Sequence, residues 1–130
     1  MIVWQKAPDV KKRFLNLIKK TDINWLKTED IYFYRSTSAQ TRACARIWGL
    51  SRLWQRTLKK NPSYIVEVIS ERFDKLGETE KDKILLHEIN HIPRNFSGAL
   101  VPHIRRGKRS FHAKLKKLYE NYHSARRLCR

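Results

Sequence analysis

Residues 79–103 read TEKDKILLHEINHIPRNFSGALVPH, and the layout of this stretch decides the fold. It holds three of the chain's five histidines, at 87, 91 and 103. The run KILLHEINHI has the apolar spacing of a buried helix. Thr79 is the expected N-cap, with Glu80 in the first turn and Asp82 in the capping-box place. Pro93 cannot continue a helix and disfavours helix at Ile92, so the helix is expected to stop there. Residues four apart share a helix face, so His87 and His91 can place two imidazole nitrogens on one ion. Glu88 is turned by about 100° from His87, near such an ion without ligating it. This is the HExxH arrangement, in which the glutamate takes a proton from a water that the metal activates. A hydrogen-bonded core histidine is the plain alternative. Against it stands the cost of burying two imidazoles and a carboxylate with nothing to pair them.

A catalytic zinc has three protein ligands and one open position for water. The metzincin spacing would need glycine and histidine where this chain has Arg94 and Ser97, so that class is excluded. Candidate donors for the third place are His103, His112 and Glu120, the only acid after Glu88. Pro102 fixes the backbone before His103, and the loop from 93 to 102 is rich in shape-setting residues, which favours His103. Neither Cys44 nor Cys129 lies near the motif, and a structural zinc would be closed by four ligands, often cysteines. An open, hydrolytic site is therefore expected; the competing reading is a nucleic-acid-binding module with a structural zinc.

Upstream, Val10, Phe14, Leu17 and Ile18 recur at helical spacing after Pro8-Asp9, with Lys11, Lys12, Lys19 and Lys20 turned away. Strands are expected at 31–35 (IYFYR), 42–48 within RACARIWGL, and 63–70 (SYIVEVIS), the last mostly buried with Glu67 as its exception. LWQRTL reads as a short helix ending before Asn61-Pro62. Downstream, Ser110 caps an expected closing helix whose inner stripe is Phe111, Leu115, Leu118 and Tyr122. The order gives a single α+β domain over 1–130, with a small sheet of about three strands against an N-terminal helix, the motif helix and a C-terminal helix.

The net charge of +17 over 130 residues favours polyanions, or is simply a solvated lysine surface. It is most lopsided between 101 and 130, where ten lysines and arginines face one acid, Glu120. Arg105, Arg106, Lys108 and Arg109 would be its contacts to DNA or RNA phosphates, with steeply salt-dependent binding. There is no apolar run of membrane-spanning length and no signal-peptide pattern, and the two cysteines form no CxxC, so an intracellular, cytoplasmic protein is expected.

The run HEINHIPRNFSGALVPH resembles the core of a metallopeptidase family from archaea and viruses, written approximately HELLHIPxxFSGxLxPH. ARIWGLSRLWQ, YIVEVISERFDKL and KLYENY resemble its flanking blocks, so the likeness covers about positions 31 to 123. The resemblance implies zinc ligands His87, His91 and His103, Glu88 as catalytic base, and a peptide or protein substrate. Asn90 departs from an apolar place in that core, and Ile104 from a small one. More distantly the layout is similar to SprT-like zincins, which implies a zincin-like fold. An oxyanion or substrate contact from His112, Tyr119 or Tyr122 is a weaker expectation; core packing with a polar tip explains the tyrosines better.

Overall fold

The structure, a computed structural model, describes residues 1–21 and 23–102. Within them lie strands β1 (Val3–Lys6), β2 (Ile31–Thr37), β3 (Ala45–Gly49) and β4 (Tyr64–Ile69). The helices are α1 (Pro8–Thr21), α2 (Arg52–Leu58), α3 (Ser70–Phe73) and α4 (Glu78–Ile89), and one 3-10 turn covers Thr28–Asp30.

The strands form one sheet in the order β1-β2-β4-β3. β2 and β4 run parallel at its centre, in register from Ile31↔Tyr64 to Ser36↔Ile69. The two edges, β1 on β2 and β3 on β4, are antiparallel. The expected three strands are thus joined by a fourth. All four residues of β1 are exposed, so VWQK carries no inside–outside alternation to mark it as strand.

One face of the sheet takes the helices. Val10, Phe14 and Leu17 of α1 are buried together with Leu85, Leu86 and Ile89 of α4 and with Ile31, Phe33, Val66 and Val68 of the sheet. Phe14 and Phe33 meet with ring centroids 4.9 Å apart. Burying each such side chain contributes about 1.5–3 kcal/mol. Pro8 opens α1, where its missing N–H costs nothing and its fixed φ suits the first turn.

Three details correct the sequence reading of α4. The helix starts at Glu78 behind Gly77, with no side-chain cap hydrogen bond, so Thr79 lies inside it. Asp82 is buried and accepts from Arg13 Nη1 at 2.9 Å. Its role is an interhelical tie, not a capping box. The helix also ends at Ile89, before the proline. The expected closing helix from Ser110 lies outside the described residues. Among the described residues no helix is long and apolar enough to cross a membrane.

Candidate metal centre

Two anchors set the position of α4 before any site chemistry begins. Its apolar residues sink into the core, and Arg13 of α1 forks onto Glu78 at 2.6 Å and Asp82 at 2.9 Å. With the N-terminal turn clamped in this way, the last turn presents His87 and Glu88.

His91 lies just beyond α4, yet it stays beside His87. After the Asn90 N–H bonds the Leu86 carbonyl, the chain tightens to three-residue bonds, His91 N–H to Glu88 O and Ile92 N–H to Ile89 O, each 3.0 Å. Such 3-10 winding is common at helix ends. The imidazoles of His87 and His91 meet edge to face, centroids 5.1 Å apart at 74°. His91 Nδ1 lies 2.7 Å from the Val101 carbonyl. A carbonyl only accepts, so Nδ1 carries the proton and donates; in the neutral imidazole the lone pair is then on Nε2. Orienting an imidazole through its other nitrogen is how proteins prepare a histidine for a metal. The Val101 N–H returns the contact, bonding the His91 carbonyl at 2.7 Å.

Glu88 is buried, and that burial pushes its carboxyl up to about 8. It lines a cavity of about 410 Å³ with Ala43, Cys44, Ala45, Ile84 and His87. One wall is therefore the start of edge strand β3, and the other is the last two turns of α4. A carboxyl that burial keeps neutral in the bare protein is poised to ionise when a cation comes near.

The loop after His91 is fixed from beneath. The Tyr64 hydroxyl, on a fully buried ring of central β4, donates to the Ala99 carbonyl at 2.7 Å and accepts from the Gly98 N–H at 2.8 Å. Burial pushes this hydroxyl above the usual phenol range, against the opposing pull of the Gly98 bond, so it remains a donor. Gln55 Nε2 bonds the carbonyls of Leu50 and Ser97 at 2.7 and 2.9 Å. Gly98 has φ +95°, and a Cβ there would strike Gln55 and the Leu50 carbonyl, so only glycine fits. Phe96 holds φ 49°, unusual for an aromatic residue. Its ring is buried edge-on against Tyr64, centroids 5.0 Å apart.

The structure thus pairs the His87 and His91 rings and sets Glu88 beside His87 in the wall of one cavity. His103, His112, Glu120, Tyr119 and Tyr122 lie outside the described residues, as do Arg105, Arg106, Lys108, Arg109 and Cys129. Among the described residues no three His, Cys, Asp or Glu side chains gather as a metal-holding group. Tyr64, Gln55, Arg13 and the Val101 carbonyl were missed in the sequence. Only Gly98 and Pro102 in the FSG and VP runs hinted that the loop had a fixed shape.

A sequence-family model described as "Putative phage metallopeptidase" matches residues 2–123. No curated protein and no solved structure matches the chain. The family implies a metal cofactor and a protein substrate, and the residues present fit a metal. The two imidazoles meet, His91 is oriented through Nδ1 by the Val101 carbonyl, and the buried Glu88 carboxyl shares a cavity wall with His87.

Proposed function

Because the chain belongs to the phage metallopeptidase family matched over most of its length, we propose that it is a zinc-dependent peptidase with Glu88 as general base. The observation that carries this reading is the reciprocal pairing of His91 with Val101. It orients one imidazole for a metal and draws the returning loop against the motif. Chain that has reached Val101 needs two more residues to supply His103.

His87, His91 and His103 would hold the ion. When bound, zinc supplies Lewis acidity toward water and toward the scissile carbonyl. Glu88 does the proton work: its carboxylate accepts a proton from the attacking water and returns it to the leaving amine. The cavity between β3 and α4 bears on where the peptide lies. Of the two sheet edges, β3 is the one beside His87 and Glu88, so the substrate is assigned to β3 as an added strand. That layout is zincin-like, and the SprT-like comparison belongs to the same reading.

The test is elemental analysis of protein purified without a histidine tag, on the wild type and two variants. About one zinc per chain is expected, as for a three-ligand site, with His103→Ala losing metal and His112→Ala keeping it. A folded, metal-free wild type would sink the proposal. Loss of metal from His112→Ala alone would move the third ligand there.

A further inference from the structure

The sheet has a second face, on the side away from α1 and α4. Register places Trp4 of β1, Tyr34 of β2, Glu67 and Ile65 of β4, and Trp48 of β3 on it. These five residues line an open cavity of about 490 Å³. Trp4 and Trp48 are 56% and 50% exposed, while Glu67 at its floor is 1% exposed.

The glutamate explains how the rings stand. Trp4 Nε1–H donates to Glu67 Oε2 at 3.3 Å from one side, and Trp48 Nε1–H donates to Oε1 at 2.9 Å from the other. Arg46 adds two bonds, Nε to Oε1 at 3.1 Å and Nη2 to Oε2 at 3.0 Å, and its guanidinium lies 5.4 Å from the Trp48 ring centroid. Two indoles are thus pinned by their polar edges to one neutralised carboxylate, with their apolar faces left to the cavity. Holding large aromatics open to solvent in fixed positions gives up apolar burial, and it prepares them for a flat partner at low entropy cost.

We propose that this face binds single-stranded polynucleotide, with unpaired bases stacking on Trp4, Tyr34 and Trp48. Stacking platforms for single strands combine aromatic rings with nearby cations that follow the backbone. Here the cations are Lys6 at the β1 end of the face, and Lys60, which lines a second cavity with Arg52 and Arg56. Lys60 reaches the face directly, bonding the Tyr32 hydroxyl at 2.9 Å. Among the described residues Glu67 is the only carboxylate lining the aromatic cavity, and Arg46 neutralises it. Charge also argues against the chain's own tail as occupant. Residues 101–130 carry ten lysines and arginines against one acid, and a cationic segment is repelled by a cationic rim. This inference stands apart from the peptidase reading, since it uses the opposite face of the sheet.

Binding of the full chain to an unpaired oligothymidylate of about 12 nucleotides, to its uridylate counterpart and to a duplex of equal length is measured at about 0.5 M salt, where phosphate contacts are weakened. A single strand is expected to bind tighter than the duplex and to quench tryptophan emission. Whether the deoxy or ribo strand binds better names the natural class. Trp48→Ala and Tyr34→Ala should each weaken binding by roughly tenfold, the worth of one stacked base. Tyr34→Ala leaves all three donors to Glu67 in place, so it remains informative if the tryptophan variant fails to fold. Equal or tighter duplex binding, or unchanged affinity in a folded Tyr34→Ala, would overturn the proposal in favour of charge alone. Equally tight binding of polyglutamate would assign the face to an acidic protein. Protection of the tryptophans from iodide quenching in the free protein would mean the chain covers the face itself.

Discussion

At the scale of single residues, the proposed chemistry turns on one buried acid. Burial alone raises Glu88 to about 8 in the bare protein, so near neutral pH it is mostly protonated and resembles glutamine in shape and charge. Glu88→Gln should therefore fold as stably as the wild type without metal and retain zinc, since the imidazoles are untouched. Peptide hydrolysis should fall by about 100- to 10,000-fold, the usual worth of a general base. Thermal melts, zinc content and cleavage of a fluorogenic peptide check the three parts separately. Undiminished cleavage would remove Glu88 from its role. HExxH could be read from the sequence because its spacing is itself the chemistry. His91's tautomer could not, because the Val101 carbonyl that sets it is ten residues away and backbone carbonyls leave no mark in a sequence.

Among elements, legibility followed burial. SYIVEVIS announced β4 because all of its strand residues but Ile65 are buried, and the polar odd member, Glu67, is indeed special. Pro8-Asp9 likewise marked the start of α1. VWQK stayed silent because a fully exposed edge strand needs no pattern. The end of α4 was placed too late because Pro93 marks the furthest a helix can run, whereas the chain tightens three residues earlier to bring His91 round. Tyr64 was read as one more strand aromatic, yet its hydroxyl joins the sheet to the site loop. Tyr64→Phe removes both bonds to Gly98 and Ala99 and leaves a buried N–H without its acceptor, a loss of about 1–3 kcal/mol. Because that loop carries Val101 to His91, zinc affinity should also drop, by about 10- to 100-fold as for other residues that orient metal ligands. Competition with a chelator reads the affinity, and urea unfolding reads the stability. A stability loss with unchanged zinc affinity would confine Tyr64 to the core.

For the whole molecule, a chain of net charge +17 must limit its self-repulsion, and its few acids are placed where they join parts. Arg35 on β2 pairs with Asp9 of α1 at 3.0 Å and with Asp74, just past α3, at 2.7 Å, so one guanidinium ties the sheet to two helical segments. Hydrogen bonding to Arg35 holds both aspartates below the usual carboxylate value of 3.8. Folded values below unfolded ones mean stability that is fully present above about pH 4 and is lost as pH falls through the lowered values. Both aspartates are well exposed, so the two pairs together contribute only about 1–2 kcal/mol. Arg35→Met should be less stable than the wild type by about that amount near neutral pH and should converge with it as acid takes the pH below the lowered values of both aspartates. Added salt should narrow the neutral-pH gap, because these pairs face solvent. Urea unfolding of both proteins at the two pH values, with and without salt, measures each part. A gap of the same size at acid and neutral pH would show that Arg35 acts through the packing of its aliphatic stem. The acid limb of stability would then have to come from the buried Glu67, whose carboxyl is held, against the pull of burial, below its usual value by Arg46 and its other donors.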